Sequence, residues 1–371
     1  MEDTVVNQRD KEADESRRAF LREAVTLSAG ALALGYPFSS NFAQKLPSPL
    51  TVHCLCPTWC AEKDVAVYEK ATSVQVNRAC WTSNLSTLTK LATGGAAEWD
   101  VVAMHHAFLY PVMRRGLLQP LDMARIPNAA HLFPYFKNVN FGRYEGKTYG
   151  VPYVWTYDSV VYNADHIQNV DSWGVLFDEK YAGKVALRDD AQNAIQVAAL
   201  FLGHKDPSVL STADLQEIKK FLIAKKPLFR KLWTGYAEAM SLLRSGEVWA
   251  LSGWRPMWWA LAKEGMNMKY AVPKEKGIGA IHYYVISSQT KIQPTAYSFI
   301  DWTLGPYWGA SVGRDQGYSG TSDLLLQDLT PELRKELDYN RMDEVLAGVQ
   351  FLDYPLNLGE WTQVWTEVKA A

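Results

Sequence analysis

Apolar and polar positions change period repeatedly along the chain. The runs LTVHCLC (50–56), VQVNRAC (74–80) and WDVVAMHH (99–106) alternate or cluster over a few residues, as short strands do. Between them AEKDVAVYEKA (61–71) and NLSTLTKLATGG (84–95) repeat their apolar residues every three or four positions and predict helices. Alternating strand and helix predicts right-handed βαβ units on a parallel sheet. A second set begins near residue 184: KVALRDD (184–190) as strand, AQNAIQVAALFLG (191–203) as helix, TADLQEIKKFLIAKK (212–226) as helix opened by Ser211 or Thr212, AEAMSLLRSG (237–246) as helix and EVWALSGW (247–254) as strand. HYYVISSQT (282–290) predicts a further strand, and helices follow at 294–304, 330–340 and 359–371. No repeat, low-complexity tract or Gly/Ser tether separates the sets. Two α/β units joined by ordered strands predict a hinged pair with a cleft between them, crossed at YGVPYVW (149–155) and in the stretch before HYYVISS (282–288).

The first 43 residues stand apart from this pattern. SRRAFL (16–21) followed by REAVTLSAGALALG (22–35) resembles a twin-arginine export leader, and its apolar part, Ala24 to Gly35, is too short to span a ~30 Å hydrocarbon core. No cysteine follows until Cys54, so a lipid-anchor box is missing. Residues 1–43 hold five of the 38 Lys/Arg and seven of the 40 Asp/Glu, which leaves 33 of each in the body. A neutral body without a basic run lacks the electrostatic footprint of a nucleic-acid or anionic-membrane binder, so small molecules are the expected partners. The remaining length and the 48% hydrophobic content fit two ordinary domains. No later segment reaches 18 consecutive apolar residues, the longest strongly apolar stretch lying near Ala194 to Leu202, and a soluble, periplasmic mature protein is expected.

LRDDAQNAI (187–195) carries two adjacent acids at a strand-to-helix turn. One carboxylate caps the helix; the other stands where open α/β sheets place ligand-contacting groups. Aromatic residues are numerous, with 14 Trp and 19 Tyr, and most at such spacings are packing. Tyr153, Trp155 and Trp254 lie at predicted strand ends, where ring faces can clamp an aliphatic chain or attract an ammonium group. A competing constellation is Cys54, Cys56, Cys60 and Cys80 with His53, His105 and His106, ligand types that zinc and copper prefer. An even cysteine count in an exported chain favours disulfides, and C-x-C-x3-C with a distant fourth cysteine is not a standard zinc spacing. An exported Cys/His metalloprotein or redox enzyme is therefore the alternative reading. No nucleophile elbow, zinc-protease helix or dinucleotide loop is present, and no cofactor is expected.

The sequence YGVPYVWTYDSVVYN (149–163), then SWGVLFDEKYAGKVALRDDAQNAIQVAALFLG (172–203), LRSGEVWALSGW (243–254) and GYSG (317–320) resembles the periplasmic spermidine/putrescine-binding proteins of ABC importers. The resemblance implies a two-lobed type II periplasmic-binding fold without catalysis, working as a monomer with a membrane permease. Its discontinuous lobes would be 44–154 with 282–371, and 155–281. It also implies that Asp190 pairs with a ligand amine while Asp189 or its backbone neighbours serve the cap. Trp254 and Tyr318 fall on ligand-facing aromatics, and Gln350 on a polar contact. Three positions depart from the family pattern: Asn193 replaces a second carboxylate, GAIHYY (279–284) puts His282 where an acid is common, and Trp59 is displaced within CLCPTW. With one clear acid left, a small cation with a single charged end, and a polar or anionic end near His282, fits as well as a polyamine.

Overall fold

The short apolar runs of the sequence become the strands of one 11-stranded sheet. A computed structural model describes residues 45–371 apart from 57, 81 and 82. The expected export leader lies outside the described residues, and Pro47–Ala371 form one unit.

Three strands open the chain: β1 (Leu50–Cys54), β2 (Val76–Cys80) after helix α1 (Glu62–Thr72), and β3 (Val101–His105) after helix α2 (Asn84–Ala92). β2 and β3 flank β1, both parallel to it, as two βαβ units require. The chain then enters β4 (Gly150–Asn163), a strand of 14 residues, buried over most of its length. The second set contains β5 (Val185–Arg188), α3 (Ala191–Phe201), α4 (Thr212–Lys225), β6 (Phe229–Trp233), α5 (Tyr236–Arg244), β7 (Ala250–Trp254), α6 (Arg255–Lys263) and the short β8 (Met268–Tyr270). β9 (Gly277–Ile286) returns to the first set; helix α7 (Pro306–Gln316), β10 (Ser319–Gly320), β11 (Val349–Phe351) and helix α8 (Leu358–Ala370) follow. The strand order is β2-β1-β3-β9-β4-β7-β5-β6.

β4 and β9 therefore carry the chain between two groups of parallel strands. Residues Gly150–Asp158 of β4 pair antiparallel with β9, and Asp158–Tyr162 pair antiparallel with β7. Asp158 is aligned with both Ile278 and Trp254, at the point where β4 changes partners. Open α/β sheets bind ligands at such a change of strand order.

The short strands β8, β10 and β11 are not expected from the sequence, nor are β6, α6 and α7. The last two lie in aromatic-rich stretches whose period the tryptophans obscure. β9 also starts five residues earlier than HYYVISSQT predicts, because GIGA lacks the bulky residues that mark a strand. The glycine has a packing reason: a Cβ on Gly279 would lie 2.5 Å from Phe351, so only glycine admits β11 alongside.

One assignment needs correction. The C-terminal helix α8, expected with the first lobe, packs on α3 and α4 instead. Its stripe Trp361, Val364, Trp365 and Val368 shares a buried cluster with Ile195, Ala198, Leu215 and Ile218. The four-residue spacing gives α8 one apolar face, and the helices that bury it belong to the second set.

Candidate functional site

Strand β5 delivers Arg188 to the sheet edge where β4 changes partners, and the chain turns through Asp189 and Asp190 into α3. Asp190 adopts extended backbone and caps α3, its Oδ1 accepting from the Asn193 N–H at 2.9 Å. Asp189 is turned outward to α8. Its Oδ1 accepts from Trp365 Nε1 at 2.7 Å and pairs with Lys369 Nζ at 2.9 Å. This reverses the expected capping roles: the residue immediately before the first helical position provides the cap, and that residue is Asp190.

Asn193, one turn into α3, donates from Nδ2 to Asp158 Oδ2 at 2.8 Å. The Arg188 guanidinium lies 3.7 Å from Asp158 and 3.9 Å from Asp190, with its carbon 4.6 Å from the centre of the Trp254 ring. Trp233 meets Trp254 edge-on at 5.5 Å, and Tyr236 stacks against it at 6.3 Å. Burial pushes the Asp158 carboxyl up to about 7; Arg188 opposes the rise, Asp190 adds to it, and hydrogen bonds from Trp254 and Asn193 oppose it. The sequence reading names neither Asp158 nor Arg188. The signal for Asp158 is the one acid within a long, mostly apolar strand.

A second cluster adjoins this one. Trp59 packs against His282 at 4.2 Å, Tyr318 at 5.7 Å and Tyr153 at 5.9 Å. His105, register partner of His282, lies 5.2 Å from it. Tyr318 joins the clusters electrostatically: burial raises its phenol, Asp158 raises it further, and Arg188 opposes both. It follows Gly317, which ends α7 at φ 71° and whose hypothetical Cβ would sit 2.6 Å from Trp259. Burial and the charge of Arg188 hold His105 down to about 4. Burial, with the neighbouring His105 and His106, holds His282 well below its usual value. His282 is thus a neutral polar group near neutral pH, not the cation that an anionic ligand end would seek.

The other expected residues are placed elsewhere. Trp155 packs against Phe136 and Tyr157, and Tyr153 also stacks on Tyr284 at 3.8 Å. The Gln350 side-chain amide donates to the Lys205 carbonyl at 2.8 Å. Packing claims Trp155 and a backbone acceptor claims Gln350, while Tyr153 also belongs to the second cluster through Trp59.

The cysteines pair as Cys54–Cys60 and Cys56–Cys80. Both bonds pin the loop that carries Trp59. Disulfide bonding removes the thiolate ligands that the Cys/His metalloprotein alternative needs, because the four sulfurs bond one another. Two of its histidines are also engaged: His53 packs on Trp99 at 4.1 Å, and His106 bridges the Leu352 carbonyl and the Ile281 N–H. The group thus offers carboxylates, a guanidinium and indole faces, all of which can pair with charged groups.

Residues 64–327 match the family described as bacterial extracellular solute-binding protein. The chain belongs to that family. Among relatives of this solute-binding protein, the putrescine-binding periplasmic protein of Escherichia coli (strain K12) is 24% identical over 331 residues, covering 84% of this chain and 88% of its own. A putative spermidine/putrescine ABC transporter protein from Listeria monocytogenes superposes with a TM-score of 0.76 at 23% identity, covering 87% of this chain and 98% of that one. The Atu4243-GABA receptor superposes with a TM-score of 0.67 at 22% identity, covering 86% and 94%. The two-lobed fold expected from the sequence is the fold of these neighbours.

Proposed function

We propose that this solute-binding protein captures a small organic cation, an amine, and delivers it to the permease of an ABC importer. The observation that carries the reading is the convergence of Asp158 and Asp190 beside the Trp254 ring. Two carboxylates neutralise an ammonium group, and the indole beside them excludes water. The buried Asn193 Oδ1, without a hydrogen-bond partner among the described residues, supplies a further acceptor. Trp59, Tyr318 and His282 form the opposite wall. Relatives named for putrescine and a neighbour named for GABA share an amine in their ligands, which supports the same class here. Closure about the crossings of β4 and β9 buries the ligand, provided that it binds the closed form better than the open one. The protein works as a monomer in the periplasm, exported through its Arg17–Arg18 leader.

Calorimetric titration with a panel of amines tests this. An amine that binds the wild type should lose roughly 2–5 kcal/mol of affinity in Asp158→Asn, the range for truncating a buried charged pair. Unchanged affinity in both Asp158→Asn and Asp190→Asn would remove the anchor of the cation reading.

A further inference from the structure

Arg188 is the unexplained charge in this site. An arginine placed only to neutralise Asp158 and Asp190 would hydrogen-bond to them, yet its nitrogens stand 3.7 and 3.9 Å away, beyond the 2.7–3.2 Å of such bonds. Among the described residues no group accepts a hydrogen bond from its guanidinium, whereas its backbone is engaged at both ends, the N–H by Ser252 Oγ and the carbonyl by the Asp190 N–H. Its side chain is 28% exposed, so the donors are reachable, and the Trp254 ring beneath it holds the planar fork in place. The charge count points the same way. Two acids and one guanidinium leave at most a single negative charge, enough for one ammonium group but not for two. A diamine would set its second ammonium against Arg188 or leave it unpaired, and burying an unpaired charge is costly.

We infer that Arg188 is a carboxylate subsite, and that the solute is a zwitterion carrying an ammonium group for Asp158 and Asp190 and a carboxylate for the Arg188 fork. The inference rests on the amine reading and narrows it. A planar carboxylate takes two parallel N–H bonds from guanidinium, which an alcohol or a second amine cannot do. Selectivity then comes from repulsion as well as attraction: Arg188 rejects a cationic end where it accepts an anionic one.

The test is calorimetric titration of the wild type with three matched series of stepped chain length: linear amino acids with terminal amine and carboxylate, the corresponding diamines, and the corresponding monoamines. At its best length the amino acid should outbind its diamine and monoamine by about 10- to 100-fold, the range for hydrogen bonds to a charged group. Arg188→Gln should abolish that preference and leave diamine affinity unchanged or improved, while Arg188→Lys keeps part of it. The wild-type comparison stands even if a variant folds poorly. A panel in which no amino acid outbinds its matched diamine overturns the inference. If diamines then bind and Asp158→Asn weakens them, the amine reading survives alone; if no amine binds, both fail.

Discussion

Asp158 sits among Arg188, Asp190, Asn193 and Trp254, with the Tyr318 and Tyr270 phenols also feeling its charge. Its carboxyl is pushed up to about 7 by burial, whereas an unfolded aspartate titrates near ~3.9. Between these values the folded chain holds a proton that the unfolded chain has lost. The stability this confers is fully present below the unfolded value and is lost as pH rises through the folded one. Asp158→Asn stays neutral throughout, so its melting temperature should gain on the wild type from about pH 4 to about pH 7. Burial raises both tyrosines, which stay neutral over that window and do not imitate the effect. His105, held down to about 4 by burial and Arg188, titrates only at its lower edge. A difference independent of pH would mean that Asp158 is ionised in the fold. The apolar run around Asp158 signals its burial locally, but the charged and hydrogen-bonding groups that tune it lie 30 or more positions away in the chain.

At the scale of the elements, the turn from β5 into α3 separates two adjacent acids by backbone geometry. Asp190→Ala removes the cap and should cost about 0.5–2 kcal/mol in thermal or denaturant unfolding. Asp189→Ala leaves α3 capped but frees Trp365 and Lys369, so amide exchange should quicken within Leu358–Ala370 and not within Ala191–Phe201. Faster exchange in both helices would show that the acids do not divide in this way. Capping itself was legible in LRDDAQNAI. Which acid capped depended on where the helical turn began, and the partner of the other acid was a helix 176 residues away. The disulfides are a similar case: an even cysteine count pointed to pairing, but only the loop between β1 and α1 decided that Cys54 meets Cys60 and Cys56 meets Cys80.

At the scale of the whole molecule, the proposed export leader and the folded body lead to separate predictions. Replacing Arg17 and Arg18 with Lys should leave the precursor in the cytoplasm, as cell fractionation would show, without altering ligand affinity of the purified body. Periplasmic accumulation of that variant would exclude the twin-arginine route. Within the body, no helix among the described residues is long and apolar enough to cross a membrane. What the sequence determined alone is the local layer: strand and helix periods, the capped turn at 189–190, the even set of cysteines and the family pattern. These depend on side-chain spacing over a few residues, which the chain carries wherever it folds. The tertiary structure decided which strands became neighbours. Antiparallel pairing of β4 with β7 set Asp158 opposite Trp254, and parallel pairing of β5 with β7 brought Arg188 up beside them. The site's charge balance follows from that sheet order, because strands distant in sequence acquire a register only when they share one buried sheet.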